Sequence, residues 1–164
     1  MKQTLYALTR ERYAVRPVVA VAAAQDAVVL AALRKAVDRG LCRALLIGDE
    51  REILSAAAQD GIDISDMERI DCPDKVECCK LAVRLVREQQ AQALMKGIVD
   101  TAALMRAVLS AEHGLRERSL LSYVGVFELP GFDRLIFLTD PAINMYPDLT
   151  AKRHIIENAV EVAN

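Results

Sequence analysis

From Arg16 onward short apolar runs alternate with amphipathic stretches, and that rhythm, more than any single residue, limits what this chain can fold into. A buried run followed by a one-faced helix, repeated, is the pattern of a parallel sheet covered by its own crossovers. Val18-Val19-Ala20-Val21 reads as the first strand. Asp26 then stands where an N-cap belongs, and Val29, Leu33, Ala36 and Val37 share one helical face that Gly40 terminates.

The unit repeats. Ala44-Leu45-Leu46-Ile47 is a second strand, Gly48-Asp49 a turn, and a helix from about Glu50 to Gln59 stops near Gly61. Glu68 to Asp71 is a short third strand. The helix from Asp74 to about Gln89 places Val76, Cys79, Val83 and Val86 inward and Glu77, Lys80, Arg84 and Arg87 outward. Ala93-Leu94-Met95 is a fourth strand. Thr101 is read as the N-cap of a helix with Leu104, Met105, Val108 and Leu109 as its buried stripe. The rhythm then changes: Ser122 to Phe127 and Leu135 to Leu138 flank a Pro130-Gly131 turn, a hairpin pattern that predicts antiparallel pairing and hence a mixed sheet. A loop from Thr139 to Pro147 leads into a last helix carrying Ile155, Ile156, Ala159 and Val160. The fold expected is a three-layer α/β/α domain with a mostly parallel, mixed sheet.

Several function classes are excluded by composition. The 164 residues suit one ordinary domain, and 53% apolar content with few Gly and Pro is that of a packed protein rather than a disordered one. A formal net charge of −2, with no Lys/Arg block, argues against nucleic acid. No apolar run approaches the roughly 20 residues that span a bilayer, and Met1-Lys2-Gln3-Thr4 does not open a signal peptide, so a cytoplasmic protein is expected. Cys42, Cys72, Cys78 and Cys79 lack metal-ligand spacing with each other or with His113 and His154, so reduced thiols and no metal are expected. Cys78 and Cys79 sit side by side in a helical pattern, where one can be buried while the other faces outward, and no chemistry is assigned to them.

Three stretches could carry chemistry. Met95-Lys96-Gly97-Ile98-Val99-Asp100-Thr101 lies where a strand's carboxyl end passes into a helix, the place where open α/β sheets bind ligands. A glycine, a hydroxyl, a cation and helix N–H groups suit phosphate, although a Gly turn beside a solvated lysine would look the same. Thr139 to Asp148 is a long polar loop after a strand. In it Asp140 before Pro141 could open a turn, and Asp148 or Thr150 could cap the last helix. Lys152 and Arg153 either pair with Asp148 or face an anion. Arg116 and Arg118 lie between elements and offer guanidinium groups to a phosphate or carboxylate, or simply to solvent.

Taken in order, Val21-Ala22-Ala23-Ala24-Gln25-Asp26, Leu94-Met95-Lys96-Gly97 with Thr101, Leu120-Leu121-Ser122-Tyr123-Val124 with Phe127-Glu128, and Phe137-Leu138-Thr139-Asp140 with Asn144 and Pro147-Asp148-Leu149 resemble the phosphate acetyl/butyryltransferase family, closer to its butyryl branch. The resemblance implies a fold similar to the isocitrate/isopropylmalate dehydrogenase-like fold, with two α/β domains and a cleft between them. It implies acyl transfer between coenzyme A and inorganic phosphate, with acyl-CoA, phosphate and acyl phosphate as partners, no tightly bound cofactor, and a homo-oligomer. On that basis Lys96, Gly97, Thr101, Arg116, Asp140 and Asn144 are the candidate phosphate- and CoA-binding positions.

Members of that family are about twice this long, and their catalytic serine and aspartate lie in the later part. The resemblance therefore assigns no catalytic residue here. Residues 1–16 are read as an N-terminal extension and 17–164 as the first α/β domain of such an enzyme, its second domain absent. Val160 to Asn164 continue a helical pattern without a Gly or Pro stop, which also reads as a piece of a longer protein. A non-catalytic CoA- or phosphate-binding module, or a regulatory fragment, is the alternative. A nicotinamide-dependent dehydrogenase is disfavoured, because Ala22-Ala23-Ala24-Gln25 stands where Gly-x-Gly-x-x-Gly would be required.

Overall fold

The computed structural model describes residues 15–164. Most of the expected N-terminal extension lies outside the described residues. The rest forms two compact units, residues 15–116 and Glu117–Asn164.

The first unit carries β1 (Val18–Ala22), α1 (Ala27–Asp38), β2 (Arg43–Gly48), α2 (Glu50–Gln59), β3 (Glu68–Asp71), α3 (Lys75–Arg87), β4 (Ala93–Lys96) and α4 (Thr101–Val108). Its four strands are all parallel, in the order β3-β2-β1-β4. The central strands β1 and β2 are buried on both faces, which is why they read as unbroken apolar runs. Because strand side chains alternate, Val21, Ala44 and Leu46 pack with Leu30 and Leu33 of α1 and Ile53 and Ala57 of α2. Ala20, Ala22, Leu45 and Ile47 face the opposite way, onto Cys78, Cys79 and Ala82 of α3 and Leu104 of α4. Two helices on each face of one parallel sheet make the three layers.

The helix starts follow capping chemistry. Asp26 accepts from the Val29 N–H at 3.0 Å, and Asp49 accepts from Arg51 and Glu52. Asp74 accepts from Val76 at 2.8 Å and Glu77 at 3.0 Å. Gly40 and Gly61, at φ 71° and 62°, take the left-handed conformation that ends α1 and α2. Arg34 of α1 braces the segment before β3: it donates to Asp38, to the Asp63 carbonyl, and through both terminal nitrogens to Asp66.

Several expectations need correcting. Cys78 and Cys79 are both fully buried, because α3 packs on the sheet and on α4 together and so hides a wider arc than one stripe. Val76, expected inward, is 47% exposed in the first turn. In α4 the buried residues are Ala103 and Leu104, while Leu109 is exposed, and the cap position belongs to Asp100 rather than Thr101.

The second unit contains β5 (Val124–Phe127), β6 (Ile136–Thr139) and α5 (Leu149–Ala163). β5 and β6 pair antiparallel, with Val124 opposite Thr139 and Phe127 opposite Ile136. They form a two-stranded sheet of their own rather than making the parallel sheet a mixed one. Asp148 caps α5 by accepting from Ala151, and Arg153 pairs with Glu157 instead of Asp148. Of the expected α5 stripe only Ile155 is buried; Ile156 and Val160 are exposed.

Candidate functional site

β1 and β4 are neighbours whose chains leave in opposite directions. β1 runs into α1 on one face of the sheet, and β4 runs into α4 on the other. Their carboxyl ends therefore diverge, and this is the switch point at which parallel α/β sheets open a crevice. Ala22 is in register with Lys96 there.

Lys96, Gly97 and Thr101 meet in this turn. Lys96 is exposed, and its Nζ donates to the carbonyls of Gly97 at 3.2 Å and Val99 at 3.1 Å, so the ammonium sits over its own loop. Gly97 is buried, and its role is steric. Its N–H donates to Ala22 O, and the next N–H, of Ile98, donates to Ala23 O, both at 2.8 Å. A Cβ on Gly97 would overlap the Ala23 carbonyl. The backbone that approaches closely is thus the chain's own. Ala23 itself has φ 59°, a left-handed conformation unusual for a residue with a Cβ.

Thr101 is the exposed first residue of α4. Asp100 occupies the cap position in extended conformation without a side-chain capping bond, unlike the four aspartates that cap α1, α2, α3 and α5. The first-turn N–H groups of α4 are therefore not engaged by Asp100's carboxylate. An anion could accept from them, with the Lys96 ammonium in the same turn.

Gln25, at the end of the first apolar run, is the residue that sequence reasoning passed over. It is only 9% exposed, and its Oε1 is buried with no partner among the described residues. Gly48 leaves room for it, since a Cβ there would strike that oxygen. The signal was a polar residue closing an otherwise apolar run from Val18 to Ala24.

Arg116 is exposed at the end of the first unit. Asp140 and Asn144 belong to the second unit, where they hold one another. Asp140 Oδ1 accepts from the N–H groups of Ala142 and, at 3.0 Å, Ile143; Oδ2 accepts from the backbone N–H and the side-chain amide of Asn144. Asn144 also donates to the Leu121 carbonyl at 2.9 Å. Burial pushes the Asp140 carboxyl up, but the bonds from the Asn144 amide and the Ile143, Ala142 and Asn144 N–H groups outweigh it and hold the group below the usual carboxylate range. Asp140 is therefore a loop organiser and a weak proton acceptor. Among the described residues no cluster of His, Cys, Asp and Glu is arranged to hold a metal, and no helix is long and apolar enough to cross a membrane.

The family described as "Phosphate acetyl/butaryl transferase" matches residues 74–164. The chain is 46% identical over 146 residues to the phosphate butyryltransferase of Clostridium beijerinckii and 47% identical over 146 residues to that of Clostridium acetobutylicum. Each match covers 89% of this chain and 48% of the relative. The phosphate acetyltransferase of Rhizobium meliloti is 38% identical over 128 residues, 78% of this chain and 40% of that protein. The crystal structure of a branched-chain phosphotransacylase from Enterococcus faecalis V583 superposes with a TM-score of 0.77 at 29% identity, covering 90% of this chain and 51% of that one. The chain spans about half the length of the curated relatives it matches. Both the family match, over more than half of the chain, and these relatives place it plainly: this chain belongs to the phosphate acetyl/butyryltransferase family.

Proposed function

We propose that this chain is the first α/β domain, residues 17–164, of an acyltransferase of the phosphate butyryltransferase type, which moves a short acyl group between coenzyme A and inorganic phosphate. One observation carries the reading: Lys96, Gly97 and Thr101 lie together at the sheet's switch point, in a chain 46% identical to a phosphate butyryltransferase. The Lys96 ammonium and the first turn of α4 suit a phosphate, with Gly97 fixing the turn that presents them. Arg116, Asp140 and Asn144 are further candidates for contacts to phosphate or coenzyme A, each within its own unit.

In the proposed reaction the thiol sulfur of coenzyme A bonds to the carbonyl carbon of an acyl phosphate. The carbon–oxygen bond to phosphate breaks, and phosphate leaves with the electron pair. The thiol proton needs a base, and Asp140, held in its ionised form by four hydrogen bonds, is poorly suited to that task. The resemblance puts the family's catalytic serine and aspartate beyond Asn164. The protein is proposed to be cytoplasmic and to associate with copies of itself, a reading supported by the exposed Leu149, Ile156, Val160 and Val162 of α5.

The test is thioester absorbance with butyryl-CoA and phosphate, on this chain alone and after adding the separately expressed second half of a relative. Turnover only after mixing supports the reading. Robust turnover by the chain alone would place the base within it, and no turnover in either arm would count against acyl transfer. A second reading is a module that binds coenzyme A or phosphate without turnover, supported by the uncapped first turn of α4 beside the Lys96 ammonium. Calorimetric binding of coenzyme A without turnover in the mixed arm would select it.

A further inference from the structure

The outer faces of α3 and α4 enclose a groove of about 920 Å³, away from the switch-point turn. Its walls are largely apolar and include Val76, Leu81 and Ala107. Cations also line it, and they differ in what they do. Lys80 pairs with Glu77, and Arg87 donates to the Glu112 carbonyl. Arg84 and Arg106, one from each helix, have no carboxylate partner among the described residues, and Glu88, which also lines the groove, accepts from the Gln90 amide instead.

An apolar wall beside two unpaired guanidinium groups matches a ligand with an apolar body and an anionic head. Guanidinium groups bind carboxylate through paired N–H donors, and a neighbouring apolar surface that excludes water strengthens such a pair. The volume lies within the range of small-molecule sites, about 300–1,000 Å³. From Val76 to Arg84 α3 rises about 12 Å, the length of an extended alkyl chain of about ten carbons. We infer that this groove binds a medium-chain alkyl carboxylate, its chain along Val76, Leu81 and Ala107 and its head between Arg84 and Arg106. The inference does not depend on acyl transfer: Arg84 and Arg106 lie outside the Lys96–Thr101 turn, and of the first turn of α4 Ala103 alone lines the groove.

The probe is decanoate, titrated below its micelle concentration into the isotope-labelled chain and followed by amide chemical shifts. Saturable shifts confined to Val76–Glu88 and Ala103–His113 are expected. Cys72 also lines the groove and is half-exposed, whereas Cys42, Cys78 and Cys79 are buried, so bound decanoate should slow modification of a single thiol. The double variant Arg84→Ala/Arg106→Ala should weaken decanoate by at least about tenfold and abolish thiol protection. Lys35→Ala, on the opposite face of the sheet, should change neither. Both arginines are exposed, so loss of folding is not expected and circular dichroism would register it. Shifts centred on the β5–β6 hairpin or α5, unchanged affinity in the double variant, or no saturable binding would each overturn the inference. So would a change in sedimentation caused by the double variant, which would make this face an interface between protein chains.

Discussion

Gly97 packs its Cα directly against the carbonyl of Ala23, and the two residues tie the carboxyl ends of β4 and β1 together. The contact is backbone to backbone, so no side chain can turn aside to admit a Cβ. Gly97→Ala should therefore destabilise the protein by about 2–3 kcal/mol, the scale of an overpacked core, measured by urea unfolding. A change near zero would mean that this junction is loose.

Lys96→Ala should behave differently. Lys96 is exposed, and among the described residues its ammonium bonds only to carbonyls of its own turn, so stability should change by less than about 1 kcal/mol. Phosphate affinity, measured by calorimetry, should fall. Equal loss of stability and affinity would make Lys96 a structural residue.

The Arg34–Asp66 pair should leave a signature in acid. The hydrogen bond from Arg34 is the main cause that holds the Asp66 carboxyl below its ordinary value. Since the folded carboxyl titrates lower than the unfolded one, near pH 4, the pairing stabilises fully above that pH and the gain fades as pH falls through the folded value. Arg34→Ala should lower Tm by a few degrees at neutral pH, and the gap should close in strong acid. A gap independent of pH would assign the loss to packing of the arginine stem instead.

Thiol chemistry reports on α3. Burial is the main cause that pushes the Cys78 thiol up to about 12, and burial also raises Cys42 and Cys79. An aromatic disulfide reagent at pH 8 should modify Cys72 rapidly in the native chain and the other three only in denaturant. Fast modification of Cys79 would contradict its burial.

In the second unit, Asn144→Ala removes the donor to Leu121 O and to Asp140. Stability should fall by about 1 kcal/mol, and the amides of Ala142 and Ile143 should exchange faster. Unchanged exchange would show that Asp140 orders the loop without Asn144.

What this sequence determined by itself is its local order. The apolar runs at Val18 and Ala44, the aspartate cap at Asp26 and the glycine stops at Gly40 and Gly61 fall where the elements begin and end. Periodicity, capping and left-handed turns act over a few residues, so they can be read along one chain. The turn from Lys96 to Thr101 was legible for the same reason, as a strand end followed by a helix start.

Only the tertiary structure decided what those elements meet. The order β3-β2-β1-β4 makes β1 and β4 neighbours, and only that adjacency creates the switch point and gives Gly97 its steric reason. The same holds for the burial of both Cys78 and Cys79, the isolation of Gln25 Oε1 over Gly48, and the separate β5–β6 sheet. Each depends on which surface covers which, and residues far apart in sequence set that through packing, which no local pattern records.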